Sequence, residues 1–175
     1  MGIYITITPF YYIHIYIIEN EITCHPQHIV INEIRTININ YKEVVYLLQQ
    51  LSSGPKISKQ DYLNIIQKLP KNQFIFIITD KEKHIGMITL FIEQKIIHCG
   101  GKVGHIEDLI VDKEFRNKGY GKLLLQHAVA ISKLYQCYKC ILNCKENLKP
   151  FYEKNGFTQN NNGMSLYFTP SDSYP

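Results

Sequence analysis

The hydrophobic residues in the first part of the chain change from strand spacing to helical spacing. The stretch HIVINEIR at 28–35 predicts a strand. A helix is then predicted behind the N-cap Asn40, because Glu43 follows three residues later, as in a capping box. A second helix is predicted to begin after Ser58 and to stop before Pro70. The predicted apolar faces of the two helices are Val44, Leu47, Leu48 and Leu51, and Tyr62, Ile65, Ile66 and Leu69.

The middle of the chain contains continuous apolar runs, which are typical of well-buried strands. QFIFIIT at 73–79 and HIGMITLFIE at 84–93 predict a hairpin, because the charged turn DKEK separates them. GHIEDLIVD at 104–112 predicts a further strand, and helical spacing behind a glycine loop then predicts a helix of about four turns. The apolar positions of that helix are Leu123, Leu124, His127, Ala128, Ile131 and Leu134.

The last part of the chain predicts two more strands around a short helix. YKCILNC at 138–144 and MSLYF at 164–168 have the composition of strands, and Pro150 is the predicted first residue of a helix in PFYEKN. The predicted order is therefore strand, two helices, three strands, helix, strand, short helix and strand.

Length and charge narrow the class of protein. A chain of 175 residues is long enough for one compact core with an extension at one end. The net charge is only +4, and the lysines are spread among acids. Because nucleic-acid surfaces usually carry a dense basic stripe, we do not expect this protein to bind nucleic acid.

The cysteines favour an intracellular, reducing environment, and we expect a cytoplasmic protein. There are five of them, an odd number, without a secretory framework. Cys137 and Cys140 form a CxxC, but no second pair stands at a zinc spacing. Cys140 and Cys144 instead fall in the apolar run YKCILNC, where we interpret them as strand residues, and we expect no metal.

Residues 1–27 are predicted to form an extension outside the domain, either poorly ordered or strand-like. The run GIYITITPFYYIHIYII is short for a membrane-spanning helix, and it contains Pro9 and His14. It also lacks the basic start and the cleavage site of a signal peptide, so we expect no stable membrane insertion. Gly2 and Thr6 match the loose myristoylation pattern, for which chance is the simpler explanation.

The segment RNKGYG at 116–121 stands between a predicted strand and a predicted helix. Gly119 and Gly121 would let backbone N–H groups face outward, and the following helix presents its positive end to the same place. With basic side chains alongside, this is a plausible pyrophosphate cradle. Two glycines alone would equally fit a turn that merely starts a helix, and neither a Walker loop nor a GxGxxG fingerprint is present.

Glu107 and Asp108 are adjacent acids in a strand that is otherwise apolar. Because neighbouring strand residues point to opposite faces, we expect one of the two to face the inner or ligand side of the sheet. An unpaired buried carboxylate is costly, so such a residue usually meets a polar ligand, a cation or backbone donors. A strand end where both acids reach solvent is the alternative.

Taken together, the strand, RNKGYG, the helix and the later FYEKNGF resemble the acetyl-CoA-binding core of the GNAT N-acetyltransferases. KIIH, GHIEDLIVD, GKLL and ILNC resemble the glucosamine 6-phosphate N-acetyltransferases within that superfamily. The resemblance spans about 28–168 and is dense over 95–157. It implies an α/β (α+β) fold with a mixed central sheet flanked by helices. The domain would be 28–168, with 169–175 as a tail.

The resemblance implies acetyl-CoA as co-substrate and direct attack of an amine on its thioester in a ternary complex. The hydroxyl of Tyr152 would protonate or stabilise the departing thiolate, and the backbone of the strand would face the thioester. The implied acetyl-CoA residues are Leu109, Ile110, Val111, Arg116, Asn117, Lys118, Gly119, Tyr120, Gly121, Lys122, Asn147, Tyr152 and Lys154.

The implied acceptor is glucosamine 6-phosphate, with the adjacent acids as the floor of the sugar site. The implied catalytic residues are Tyr152, Glu107, Asp108 and Asn143. The implied substrate-binding residues are Ser52, Lys95, Ile96, Ile97, His98, Glu107, Asp108, Asn143 and Tyr167. The resemblance also implies a homodimer, because the family completes its site across subunits, and a place in UDP-N-acetylglucosamine synthesis.

Three residues depart from the family pattern. Asn143 replaces an acid, so Glu107, Asp108 or water would have to take its place. Leu148 replaces an asparagine that contacts CoA, and Asn147 is adjacent. Tyr167 replaces a basic residue that reaches the sugar phosphate, for which Lys95, His98 and Lys102 could supply charge. Two alternatives therefore stay open: an acetyltransferase for a protein or polyamine amine, and a catalytically weakened acyl-CoA-binding module.

Overall fold

The computed structural model describes residues 3–7, 13–17, 29–36, 39–52, 57–160 and 164. The strands are β1 (Ile3–Ile7), β2 (Ile13–Ile17), β3 (Ile29–Glu33), β4 (Gln73–Asp80), β5 (Lys83–Gln94), β6 (Lys102–Val111) and β7 (Cys137–Ile141). The helices are α1 (Tyr41–Leu51), α2 (Lys59–Lys68), the single turn α3 (Ile97–Gly100), α4 (Tyr120–Leu134) and α5 (Lys149–Lys154). The predicted strand at 164–168 lies outside the described residues, apart from Met164.

Five strands form one sheet in the order β3-β4-β5-β6-β7. The first four are antiparallel neighbours, and β6 pairs with β7 in parallel. The sheet is therefore mixed and is flanked by helices, which confirms the predicted fold class. Within the predicted extension, β1 and β2 form an antiparallel pair in a sheet of their own.

Each face of the sheet carries its own apolar cluster. On one face, α4 contributes Leu124, Leu125 and Ala128 against Ile88 and other residues of the central strands. On the other face, the helices α1 and α2 contribute Val44, Leu47 and Tyr62, which pack on Met87 and Ile110 of β5 and β6. Burying apolar area on both faces at about 25 cal/mol per Å² is what holds the helices to the sheet.

The predicted helix starts are confirmed by their hydrogen bonds. Asn40 Oδ1 accepts from the backbone N–H of Lys42, and Ser58 Oγ accepts from the N–H of Asp61, each at 3.1 Å. These bonds satisfy N–H groups that have no partner within their own helix.

The predicted apolar faces are only partly right. Leu51, Ile65 and Leu134 are exposed, Ile65 to 51%. Leu51 and Leu134 end their helices, where little of the sheet remains to cover them, and α2 buries only Tyr62. Among the described residues, no helix is long and apolar enough to cross a membrane.

Candidate active site

A β-bulge in β6 lies at the two adjacent acids. Glu107 stands opposite Thr89 and Ile110 opposite Met87, so β6 has one more residue than β5 over this interval. Asp108 absorbs the irregularity with a left-handed backbone, φ 51°. In an uninterrupted strand, Ile106 and Ile110 would share a face, yet Ile106 packs on the α4 side and Ile110 on the α1–α2 side. The bulge therefore reverses the faces of β6.

The bulge also changes the placement of the acids. We expected one acid to face the inner or ligand side of the sheet, with solvent exposure of both as the alternative. Both side chains are exposed in the structure. Strict alternation fails here because the left-handed residue rotates the chain between the two. Asp108 Oδ2 accepts a hydrogen bond from Thr89 Oγ1 at 3.3 Å, and partial burial, together with the charge of Asp108, raises the pKa of Glu107. The raised pKa makes the Glu107 carboxylate a better proton acceptor than an ordinary glutamate.

Strands β6 and β7 separate just before the bulge. They pair only from Lys102–Cys137 to His105–Ile141, whereas β6 continues to Val111. The N–H of Asp112 donates to Ile85 of β5 at 2.8 Å, and the carbonyl of Val111 accepts from Arg116 Nε at 3.0 Å. Because consecutive residues direct their N–H groups to opposite edges, those of Leu109 and Val111 face the opening, and that of Ile110 faces β5.

The segment 116–121 connects β6 to α4. Asn117 and Gly119 have left-handed backbones, at φ 62° and 87°, and α4 begins at Tyr120. A Cβ at Gly119 would meet none of the described residues within 4 Å, so this position faces open space, whereas a Cβ at Gly121 would lie 3.6 Å from the ring of Phe151. Three basic side chains that we predicted to lie beside the pyrophosphate are exposed around the positive end of α4. They are those of Arg116, Lys118 and Lys122. Tyr120 is buried in the core, so only its backbone is available to a ligand.

A cleft of about 1030 Å³ lies beside the separated strands. Its lining includes His105, Glu107, Asn143, Cys144 and Tyr152. Tyr152 is held by edge-on contacts with the rings of Phe151 and Phe157, at 5.0 and 6.0 Å between centroids. Burial, with the nearby Cys144 and Glu107, raises the pKa of the Tyr152 hydroxyl. The hydroxyl therefore keeps its proton at neutral pH and can donate it.

A polar row extends from the acids along one face of the sheet. By alternation, Thr89 and Glu93 share the face of Met87. Glu93 accepts from Lys95 Nζ at 2.6 Å and pairs with His105 Nε2 at 2.8 Å. Hydrogen bonds from Lys95 and His105 lower the pKa of Glu93. Thr89, Glu93 and His105 were not among the predicted site residues. The spacing of two between His105 and Glu107 was a usable signal for His105, whereas only the pairing of β5 with β6 brings Thr89 beside Glu107.

The structure does not bring all of the predicted residues together. The turn with Lys95, Ile96, Ile97 and His98 lies at the far end of β6, where Lys102 is six residues, or roughly 20 Å, from Asp108. Ser52 is exposed at the end of α1. Asn147 and Lys154 are exposed around α5, and Tyr167 lies outside the described residues.

The four described cysteines, Cys99, Cys137, Cys140 and Cys144, are free. Burial raises the pKa of Cys137, which keeps this thiol protonated. Within the part of the chain that the structure describes, no group of three or more His, Cys, Asp or Glu could hold a metal ion.

The chain is similar to acetyltransferases in sequence and in structure. The model of the Acetyltransferase (GNAT) family matches residues 41–157. A probable glucosamine 6-phosphate N-acetyltransferase 2 of Oryza sativa subsp. japonica is 34% identical over 134 residues, 73% of this chain and 81% of that protein. Glucosamine 6-phosphate N-acetyltransferase 1 of Dictyostelium discoideum is 36% identical over 125 residues, 69% of this chain and 79% of that protein.

A solved structure supports the same relationship. The crystal structure of glucosamine-6-phosphate N-acetyltransferase from Arabidopsis thaliana aligns with a TM-score of 0.73 and 28% sequence identity. The alignment covers 81% of this chain and 99% of that one.

Proposed function

The chain belongs to the GNAT acetyltransferase family, and from this premise we propose that it acetylates glucosamine 6-phosphate. The reaction transfers acetyl from acetyl-CoA to the amine of D-glucosamine 6-phosphate and yields N-acetyl-D-glucosamine 6-phosphate and CoA. Its place is the synthesis of UDP-N-acetylglucosamine. Relatives that carry this activity in their names support the substrate.

The observation that carries the proposal is the opening between β6 and β7, with Glu107 and Tyr152 both on its cleft. Acetyl-CoA enters this opening with its pyrophosphate on the backbone of 116–121 and the positive end of α4. The N–H groups of Leu109 and Val111 then face the pantetheine and the thioester carbonyl. Fixed donors of this kind stabilise the negative charge that develops on the carbonyl oxygen during attack.

The proton transfers follow from the raised pKa values of Glu107 and Tyr152. The amine must lose a proton before or during attack, and Glu107, whose pKa is raised, accepts it directly or through water. The new bond forms between the amine nitrogen and the acetyl carbon, and the bond from that carbon to sulfur breaks. Tyr152, whose hydroxyl stays protonated, donates its proton to the departing thiolate. No acyl-enzyme is formed.

The sugar lies against the polar face of β6. Asp108, which Thr89 orients, and Asn143 on the cleft are hydrogen-bonding partners for its hydroxyls and amine. In this arrangement the carboxamide of Asn143 orients the amine and leaves deprotonation to Glu107.

A homodimer accounts for the position of the turn at 95–98. Within one chain this turn is roughly 20 Å from Asp108, too far for one sugar phosphate to bridge. Ile96 is 98% exposed and Ile97 is also exposed, as expected of apolar residues that a second copy covers. In the dimer, the basic side chains near this turn, Lys95, His98 and Lys102, bind the phosphate of the other subunit. The catalytic domain is 28–168, and we place the protein in the cytoplasm.

Asn143 stands where the family has an acid, and this difference favours a second candidate function, an acyl-CoA-binding module with weakened catalysis. Release of CoA by the purified protein separates the two. Glucosamine 6-phosphate is tested beside glucosamine, spermidine and a lysine peptide. Selective turnover of the phosphosugar supports the proposal, turnover of another amine replaces its substrate, and CoA binding without turnover supports the second candidate.

A further inference from the structure

The carboxylate of Asp112 is completely buried where β6 ends, at 0% exposure. A buried charge requires compensating partners, and these come from three directions. Asp112 Oδ1 accepts from the N–H of Glu114 at 3.1 Å, and Lys83 Nζ lies 3.2 Å from Oδ2. Gln50 Nε2 approaches Oδ1 at 3.5 Å from the last turn of α1. The junction of β6 with the following loop is therefore a fixed point.

Gln50 makes its shorter contact with the next residue along the loop. Its Oε1 accepts the backbone N–H of Lys113 at 2.8 Å. One carboxamide thus faces two adjacent residues, with its oxygen toward a backbone donor and its nitrogen toward a carboxylate. A glutamate could accept from Lys113 but could not donate to Asp112. The position uses both halves of an amide.

The pyrophosphate segment 116–121 begins four residues after Asp112. Asn117 and Gly119 have left-handed backbones and Gly119 faces open space, so the shape of this segment depends on the anchors at its two ends. One anchor is α4, and the other is the junction that Gln50 contacts. A rotation at Lys113 would displace every N–H group that the loop presents to a phosphate.

We propose that Gln50 is a positioning residue for acetyl-CoA: it bridges α1 to the Asp112–Lys113 junction and so holds the pyrophosphate loop in its binding conformation. The inference rests on the proposed function for the identity of the ligand. Gln50 itself touches neither substrate, so its loss should weaken cofactor binding and leave the chemical step unchanged.

The test compares Gln50→Met, which keeps the volume but loses both hydrogen bonds, with Gln50→Ala. The control is Gln49→Ala, the exposed neighbour on the same helical turn. The Kd of CoA is measured by calorimetry, and KM and kcat by CoA release. Both Gln50 variants should raise the Kd of CoA and the KM of acetyl-CoA roughly three- to tenfold, the effect of losing the 2.8 Å bond to Lys113, because the 3.5 Å contact with Asp112 is too long to add much. Their kcat at saturating acetyl-CoA and the constants of the control should match the wild type.

Three results would overturn the inference. One is Gln50→Met with wild-type affinity for CoA, since packing alone would then suffice. Another is a lowered melting temperature in both variants with unchanged Kd and KM, since the role would then be merely structural. The third is a wild-type protein that does not bind CoA. A wild type that binds CoA but leaves glucosamine 6-phosphate unreacted refutes the proposed substrate alone, because the calorimetric comparison still decides the role of Gln50.

Discussion

His127 makes the stability of this protein depend on pH. It lies in the middle of α4, only 2% exposed, with its ring edge-on to Phe76 at 4.4 Å between centroids. Its Nδ1 is buried and has no hydrogen-bond partner among the described residues. Burial lowers the pKa of this imidazole from 6.5 to about 4, because the apolar surroundings disfavour the charged form.

The magnitude follows from the two pKa values. Below pH 6.5 the unfolded chain takes up a proton at this site that the folded chain refuses, so acid favours unfolding. The free energy of unfolding that depends on a neutral His127 is therefore fully present above pH 6.5 and is lost as the pH falls toward 4. The loss amounts to about 2 kcal/mol between pH 7 and pH 5, and to about 3 kcal/mol over the whole interval.

Urea unfolding at pH 7 and pH 5 measures this loss of stability. It compares the wild type with His127→Leu and His127→Gln. The stability of the wild type relative to either variant should fall by about 2 kcal/mol from pH 7 to pH 5. The two variants differ in polarity but neither titrates, so they should show the same pH dependence. A wild-type advantage that is equal at both pH values would refute the reasoning, and so would a ring that titrates near 6.5 in the folded protein by NMR.

Three further predictions concern catalysis and the loop. Tyr152→Phe should lower kcat by at least tenfold with little change in the affinity for CoA, as measured by CoA release and calorimetry; an unchanged kcat removes the hydroxyl from the leaving-group role. The pKa of Glu107 is raised, so kcat/KM should decline on the acid side at a pH above the ordinary range of a glutamate. Glu107→Gln should be much slower and lack this acid limb, whereas an identical profile would assign the limb to another group. Gly119→Ala adds a side chain in open space but at φ 87°, so it should destabilise the loop by about 1 kcal/mol. The KM of acetyl-CoA should rise accordingly, and an unchanged KM would show that the loop tolerates the strain.

The elements were predictable from the sequence because their signals are local. The capping residues Asn40 and Ser58 stand at the helix starts, and the apolar runs of β4 and β5 coincide with the strands. The bulge at Asp108 was not predictable from alternation, because one additional residue in a strand leaves no mark on the pattern. The contact of Gln50 with Lys113 joins residues 63 positions apart, and only the packing of α1 on the sheet brings them together. The distance from the turn at 95–98 to the acids likewise follows from the length of the hairpin.

The opening between β6 and β7 also bears on the aggregation and degradation of the protein. The N–H groups of Leu109 and Val111 form a short stretch of sheet edge that β7 leaves unpaired in the described part of the chain. An open edge is a template for strand addition from a neighbouring molecule. In the proposed complex, acetyl-CoA covers this edge. We therefore expect the cofactor-free protein to aggregate faster and to be degraded sooner in cells, so that its abundance follows the supply of acetyl-CoA.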